Sequence, residues 1–380
     1  MIVSVEDFGA IADDYSGHPG TDSTSAFLDA IRAGNRIFVP GYEGRGYKID
    51  LITIDKRIEF FGDLNTEIVG SIRVIKDNCR LHDFLLRANW KAASDEINGD
   101  ENGLEINSNR NFIYRVDVQN FSGNGFHVTG DVVQGTGNAN LNVIRDCGSY
   151  CNGRAGIFFK SGDSNQCSIE NFNSVGNGRF GIDEQSFLGN TYINSHTANN
   201  ASGHPANKTI VSHNDKLYWA LKNNVGIEPG SNEGSCWMPW GDGAIFSKWN
   251  KETEYFSGAG YHFGESPNQR GVLINAYSEG DELTVIGGTS SIAVGGFIAD
   301  SGALPYIRVV NGDITFKNLQ VENREENLRL VMWGKGYNLI GVYDLDNDHL
   351  IFGLKYDKEK KCFGIAQKNT FGGKISLGAF

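Results

Sequence analysis

The chain has 380 residues, a formal net charge of −12 at neutral pH, 39% hydrophobic residues and 21% charged residues. This is the composition of a folded chain, and its acidic balance argues against nucleic acid as a partner, because phosphate binding needs a clustered basic excess. No stretch is long and apolar enough to span a membrane, and the first residues lack the basic and apolar regions of a signal peptide, so we expect no membrane insertion.

The numbers of Gly, Cys and His residues further limit the fold classes and site types that the sequence allows. The sequence holds 49 Gly against 7 Pro, which predicts many turns in a regular β structure, since Gly takes positive φ at little cost. The 6 Cys show neither zinc spacing nor a disulfide framework, and buried free thiols are the better interpretation. The 8 His are dispersed, so the sequence predicts no metal site, and no phosphate loop or other motif indicates a cofactor.

Residues 1–50 are predicted to form an N-terminal cap. Ser23 can begin an amphipathic helix in which Phe27, Ala30 and Ile31 share one face. A single helix ahead of a long β region suits a lid over an exposed core end, as repeat folds require.

Residues 51–335 are predicted to form a parallel β-helix. Short β segments that begin with Gly recur at intervals of 22, 31 and 25 residues, each followed by a second strand and by turns rich in Asn. A repeat of that length with several short strands and no helix corresponds to one coil, and Asn at the turns fits stacked side-chain amides. A β-propeller or a sandwich is the alternative. The aligned segments are Gly103-Leu-Glu-Ile, Gly125-Phe-His-Val, Gly156-Ile-Phe-Phe and Gly181-Ile-Asp-Glu.

Two regions depart from this repeat. Residues 203–242 contain Trp219, Trp237 and Trp240 and are predicted to be an inserted aromatic module. Residues 336–380 alternate as hairpins and predict a small antiparallel C-terminal β unit.

Several segments form a recognisable set: Val5-Glu-Asp-Phe-Gly-Ala10, Thr21-Asp-Ser-Thr-Ser-Ala26-Phe, Ile37-Phe-Val-Pro-Gly41, Tyr47-Lys-Ile and Asn275-Ala-Tyr-Ser-Glu-Gly-Asp281. Together they resemble the pectate-lyase-like superfamily, in particular β-helix proteins of the phage tailspike and polysaccharide depolymerase type. The insertion is similar to small carbohydrate-binding modules through Tyr218-Trp and Glu228-Pro-Gly. The resemblance implies a polysaccharide substrate, a homotrimer, and a location outside the cell or on a virion surface.

The predicted fold is therefore all-β: a right-handed parallel β-helix with an N-terminal capping helix and a small C-terminal antiparallel β unit. Because side chains alternate along a strand, Leu104, Phe126, Ile157 and Ile182 should point inward. Their following neighbours should then share the outer face, where carboxylates could transfer protons and a ring could stack on sugar. That face is either a sugar groove or merely solvated. The outward residues are Glu105, His127, Phe158 and Asp183.

Asp183 is the first choice for a general acid or base, with Glu184 and Glu279 as partners. Strict alternation would turn Glu184 inward as a buried acid with a raised pKa; the other interpretation, which we favour, is that the strand ends at Asp183. Tyr277 and Asp281 lie in the tailspike-like segment and are predicted to bind substrate.

Arg154 and Arg179 occupy equivalent turn positions and should stack on adjacent coils. They form either a subsite for a uronate or sialate carboxylate or, slightly favoured, ion pairs with Glu170 or Asp146. Trp219 and Trp237 are candidate sugar-stacking residues, although a small insertion needs a core and can spare only one Trp for a ligand.

The sequence thus predicts a glycoside hydrolase that cleaves a bacterial capsule or exopolysaccharide by carboxylate acid/base chemistry. A polysaccharide lyase acting by β-elimination is an alternative. A receptor-binding spike that holds glycan without cutting it is another.

Overall fold

The computed structural model describes residues 2–88, 99–130, 137–160, 163–201, 209–231, 236–242, 248–263 and 271–279, and beyond them the backbone of the strands from Leu283–Gly287 to Ser376–Ala379. The chain winds as a right-handed parallel β-helix in which successive coils add one short strand to each of three sheets. The right hand is the one that twisted parallel strands favour for their crossovers.

The first sheet begins at the N-terminus. Its strands are Ile2–Ser4, Arg36–Phe38, Glu59–Phe61, the first half of Arg80–Arg87, the first half of Phe112–Gln119, Val143–Arg145, Ser168–Glu170, Thr191–Ile193, Val272–Ile274, Ser291–Val294 and Ile314–Lys317.

The second sheet follows the first across a short corner in each coil. Its strands are Tyr47–Lys48, Glu67–Val69, the second halves of Arg80–Arg87 and Phe112–Gln119, Gly148–Tyr150, Asn173–Val175, His196–Ala198, Tyr277–Glu279, Phe297–Asp300 and Leu319–Asn323.

The third sheet completes each coil and carries the residues of functional interest. Its strands are Ile52–Ile54, Ile72–Val74, Leu104–Ile106, Phe126–Val128, Ala155–Phe159, Phe180–Glu184, Ala259–Phe263, Leu283–Gly287 and Tyr306–Val310.

Asparagine columns hold the coils together, as the sequence predicts. Inside the protein, Asn177 donates from its backbone N and from Nδ2 to Asn200 Oδ1, at 3.0 and 2.9 Å, and Asn152 makes the same pair of bonds to Asn177. At the corner between the first and second sheets, Asn171 and Asn194 take φ of 51°, a conformation that Asn tolerates better than most residues. The columns satisfy polar groups that the tight corners would otherwise leave unpaired.

The predicted N-terminal capping helix is confirmed. After a 3-10 turn at Val5–Phe8 and a small hairpin of Asp14–Tyr15 with His18–Pro19, the helix Thr24–Ala33 forms. Phe27 is fully buried and its ring contacts Tyr47 and Phe60, so the helix closes the end of the interior. No helix in the described part of the chain has the length and apolarity needed to span a membrane.

The insertion leaves the β-helix after the second-sheet strand His196–Ala198. Its strands are Ile210–His213, Lys216–Ala220 and Trp237–Asp242, which form an antiparallel sheet, and Asn224–Val225 with Glu254–Tyr255. The next coil strand is Ala259–Phe263, so these antiparallel strands extend beyond residue 242.

The C-terminal unit is an antiparallel meander. Pairing changes from parallel to antiparallel between Leu319–Asn323 and the strand that follows it, earlier than residue 336. Its strands are Leu328–Met332, Leu339–Asp344, His349–Asp357, Cys362–Gln367 and Ser376–Ala379.

Candidate active site

A single column of side chains runs along the outer face of the third sheet. Strand pairing aligns each member with the next, and all are partly exposed while the residues on either side of them are buried. The predicted alignment of four members is confirmed, and the structure adds His262 at one end and Arg73 and Thr53 at the other. The members that concern the candidate site are Glu105, His127, Phe158, Asp183 and His262.

Asp183 and His262 form a hydrogen-bonded pair. His262 Nδ1 lies 2.7 Å from Asp183 Oδ1, and Gln185 Nε2 donates to the same oxygen at 2.6 Å. Because an ionised carboxylate only accepts hydrogen bonds, Nδ1 carries the proton in this pair and Nε2 is the nitrogen that can accept one. Asp183 Oδ2 and His262 Nε2 make no hydrogen bond within the described residues, so both are free to contact a ligand.

Phe180 holds the His262 ring in place. The two rings stack with centroids 4.6 Å apart and an interplanar angle of 12°. Phe180 in turn belongs to a small buried cluster with Trp219 and Leu221 of the insertion, against which Phe158 also packs. The insertion therefore forms a wall beside the Asp183–His262 pair and fixes the orientation of its imidazole.

Arg179 joins this wall to the third sheet. Its guanidinium lies over the rings of Phe180 and Phe256, at 5.0 and 5.3 Å from their centroids, and donates to Asn223 Oδ1 and to the Ser257 carbonyl, both at 3.1 Å. Burial lowers the pKa of Arg179, and the attraction of Asp183 opposes this. Among the described residues no carboxylate forms an ion pair with Arg179, although Asp183 and Glu254 attract its charge from a greater distance.

The other end of the column is built differently. Burial acts to raise the pKa of Glu105, but hydrogen bonds from Arg73 and Asn102 outweigh it, and the pKa lies below its usual value. Burial lowers the pKa of His127 to about 4, and its ring stacks on Phe158 at 5.4 Å. Three strand spacings separate Glu105 from Asp183, about 14 Å, which exceeds the separation of a glycosidase carboxylate pair. Glu105 is therefore too far from Asp183 to act with it as a carboxylate pair.

Glu184 lies inside the β-helix. The strand Phe180–Glu184 does not end at Asp183, so the favoured interpretation is wrong and the alternation continues. Glu184 has no exposed surface and accepts from Ser186 N, Asn190 Nδ2 and Tyr192 Oη at 2.7–2.8 Å. Burial raises its pKa to about 7, but it cannot touch a ligand on the outer face.

Trp219 and Trp237 have no exposed surface, so neither can stack on a sugar. Trp219 Nε1 donates to the Gly258 carbonyl and Trp237 Nε1 to the Ile227 carbonyl, at 3.1 and 2.7 Å. Both form the core of the insertion, because two antiparallel sheets of this size need large rings to bury. The side chain of Trp240 lies outside the described residues.

The tailspike-like segment belongs to a different face. Tyr277 pairs with His196 in the second sheet, where their rings are 5.0 Å apart, and Glu279 follows on the same strand. Neither lies in the column of Asp183. The Glu279 side chain and the whole of Asp281 lie outside the described residues, so their predicted roles stay predictions.

The two arginines are adjacent, as predicted, because Arg179 N donates to the Arg154 carbonyl at 3.0 Å. The predicted ion pairs are wrong. Glu170 pairs with Arg145, and Asp146 accepts a hydrogen bond from Asn171, because both acids lie at the corner between the first and second sheets. Arg154 pairs instead with Asp100.

Sequence reasoning missed the roles of His262 and Gln185. The segment Gly260-Tyr-His-Phe matches the other Gly-led segments, but Gly260 lies 79 positions after Gly181, so the repeat interval of 22–31 residues does not predict its alignment. The described residues contain no group of His, Cys, Asp and Glu able to hold a metal ion.

Comparisons with known proteins give structural neighbours only. No protein-family model matches the sequence, and no curated protein is significantly similar to it. A protein of Geobacillus virus E2, ORF18, superposes with a TM-score of 0.44 at 12% identity, over 100% of this chain and 76% of that one. The catalytic unit of a GH87 α-1,3-glucanase from Streptomyces thermodiastaticus superposes with a TM-score of 0.45 at 13% identity, over 84% of this chain and 63% of that one. The A-module of the mannuronan C-5 epimerase AlgE4 from Azotobacter vinelandii superposes with a TM-score of 0.42 at 14% identity, over 85% of this chain and 98% of that one.

Proposed function

We propose that the protein cleaves a polysaccharide at the outer face of the third sheet, by acid/base hydrolysis of a glycosidic bond. The observation that carries this proposal is the Asp183–His262 pair, in which one carboxylate oxygen and one imidazole nitrogen are free of hydrogen bonds on a partly exposed face. Such a pair can give and take protons, which is the requirement of general acid–base catalysis.

The rest of the column supports a polymeric substrate. Phe158 provides an apolar ring next to Asp183, and Glu105 with Arg73 and Asn102 provides polar groups three coils away. Coils repeat at about 4.8 Å, so a glycan lying along the axis would reach both ends. In this proposal Asp183 transfers a proton at Oδ2 and His262 is the second group that can do so. Glu279, the partner that the sequence predicts, lies on a strand of the second sheet and is not part of this pair.

A lyase is the second candidate, and Arg179 favours it. In β-elimination, His262 Nε2 would take the proton next to the sugar carboxylate, and the glycosidic oxygen would leave as a double bond forms. Arg179, a cation without a carboxylate partner in the described chain, would neutralise the developing charge.

The test is incubation with a panel of purified bacterial capsule and exopolysaccharides, with polymer size and ultraviolet absorbance followed together. Shortening without new absorbance supports hydrolysis, and shortening with absorbance of an unsaturated product supports the lyase. Binding without shortening would refute cleavage and leave a receptor-binding spike.

A homotrimer located outside the cell or on a virion surface is part of the same proposal. Light scattering of the purified chain should give a particle of three times 41.6 kDa. A monomer at all concentrations would contradict it.

A further inference from the structure

We propose that the insertion carries a second saccharide site, separate from the Asp183–His262 pair, in a cleft beside Trp249. The cleft has a volume of about 350 Å³, which is within the range of small-molecule sites. It is lined by Ser212, His213, Asn214, Asp215, Lys248 and Trp249.

The backbone of the insertion builds this cleft from two segments. The hairpin between Ile210–His213 and Lys216–Ala220 turns at Asn214 and Asp215, whose φ values of 51° and 59° are those of a tight two-residue turn. Ser212 at the edge of that hairpin pairs with Lys248, and Trp249 N donates to the Ser212 carbonyl at 2.9 Å. The turn and the Lys248–Trp249 segment therefore face one another with fixed backbone positions.

Of the insertion's Trp residues whose side chains are described, Trp249 is the one that remains partly exposed. Trp219 and Trp237 fill the core, whereas Trp249 packs against its edge and lines the cleft. Its ring meets the His213 ring at 77° with centroids 5.3 Å apart, and His213 Nε2 donates to Glu228 Oε1 at 2.9 Å. This chain of contacts holds the indole in one orientation, which makes it suitable as a stacking surface.

The polar groups around the ring indicate a neutral sugar. Asn214 and Lys248 donate, and Asn214 and Asp215 accept, so hydroxyl groups that do both can be matched. The lining holds one acid, Asp215, and one cation, Lys248, whose charges offset each other, so a sugar carboxylate would gain no net attraction there. The geometry thus points to one neutral pyranose of a longer glycan, bound without chemistry.

The experiment uses the full chain and isothermal titration with neutral gluco-, manno-, galacto- and N-acetylglucosamine oligomers, and with oligogalacturonate as the charged probe. Asp215→Gly removes the carboxylate and keeps the turn, because Gly accepts positive φ readily. Trp249→Ala removes the ring, and Val225→Ala, an exposed position of the insertion, is the matched control.

We expect at least one neutral oligomer to bind the wild type and the control equally. Its affinity should fall by about tenfold or more in Asp215→Gly and in Trp249→Ala, as expected for loss of a hydrogen bond or a stacked ring. The proposal is overturned if no neutral oligomer binds, if oligogalacturonate binds through these residues instead, or if Asp215→Gly, folded by its thermal transition, binds as the wild type does. Loss of cleavage has no bearing on this test, which measures binding alone.

Discussion

The oxygen atoms of Asp183 have different surroundings, and this difference sets what the residue can do. Oδ1 accepts from His262 and Gln185, while Oδ2 has no partner among the described residues. The two donors fix the carboxylate plane, so that Oδ2 is presented in a constant direction. His262 is fixed in the same way by Asp183 on one side and the Phe180 ring on the other.

Replacing either member of the pair should abolish cleavage without unfolding the protein. Asp183→Asn keeps the shape of the side chain, and His262→Phe keeps the ring that stacks on Phe180; we expect the rate of polymer cleavage to fall by about 10²–10⁴ in each. Asp146→Asn makes the same chemical change on an exposed corner and should leave the rate unchanged. Unaltered turnover in His262→Phe would remove His262 from the mechanism.

Glu184 should make the folded state less stable as the pH rises. Its pKa is raised from 4.5 to about 7, so the folded chain binds this proton more tightly than the unfolded chain. The stabilising contribution is complete below pH 4.5 and is lost as the pH rises through 7, a fall of about 3 kcal/mol.

Denaturant unfolding of the wild type and of Glu184→Gln, between about pH 4 and about pH 8, measures this effect. The difference between the two free energies of unfolding should change by roughly that amount, since Gln does not titrate. A pH-independent difference for Glu184→Gln would show that the carboxyl stays ionised inside the protein.

At the scale of elements, glycine explains why part of the site could be predicted. A Cβ on Gly156 would lie 2.0 Å from Ser174 Oγ, and one on Gly181 would lie 2.6 Å from the Gly260 carbonyl, so these corners require Gly. The glycines therefore mark the same point in each coil, and the alignment of Glu105 with Asp183 follows from them. His262 could not be aligned in this way because the insertion lies between the last two coils of the pattern.

The sequence does not predict which side chains are buried or which partners they meet inside the protein. Glu184 follows the alternation inward, but composition does not show that Ser186, Asn190 and Tyr192 will meet its carboxylate. Similarly, nothing in the spacing of Trp219 and Trp237 distinguishes a core ring from an exposed one. Both depend on which distant strands come together in the folded chain.

The buried asparagine column should be a major source of stability. Asn177→Ala removes the acceptor of two bonds from Asn152 and the Nδ2 donor to Ser174 and Asn200, while the backbone N of residue 177 still donates to Asn200, so we expect a loss of about 3 kcal/mol. Asn194→Gly, on the exposed column and at a positive φ that Gly accepts, should cost less than about 1 kcal/mol. Equal losses in denaturant unfolding would contradict an interior role for the amides.

Trp219 should affect catalysis through packing, not through sugar stacking. Trp219→Ala removes a fully buried ring and should lower the free energy of unfolding of the insertion by about 3–5 kcal/mol. Because the same ring supports Phe180, and Phe180 supports His262, cleavage should fall as well. Trp219→Phe should recover most of both. A variant with normal stability and weaker sugar binding would restore the stacking interpretation.

At the scale of the whole molecule, the strands of each described coil pair with those of the coils next to it, so stability is local and the ends need protection. The helix Thr24–Ala33 provides it at one end, with Phe27 against Tyr47 and Phe60. Repeat proteins without such caps open from their termini.

Phe27→Ala should therefore loosen the first coils and leave the distant ones unchanged. Truncation of a fully buried ring costs about 3–5 kcal/mol, and here the loss falls on the strands Arg36–Phe38 and Glu59–Phe61. Hydrogen exchange should accelerate there while Phe180–Glu184 keeps its protection. Uniform acceleration along the chain would mean that the β-helix unfolds as a single cooperative unit.

The insertion departs and returns within one coil, between His196–Ala198 and Ala259–Phe263, while both of those strands keep their pairing with the coils before and after. The sheets thus continue past the insertion as if it were absent. A different module could therefore be inserted at that corner without altering the register of the third sheet. Under the two functions proposed above, glycan binding by the insertion and cleavage on the third sheet could then diversify independently, on a scaffold that stays the same.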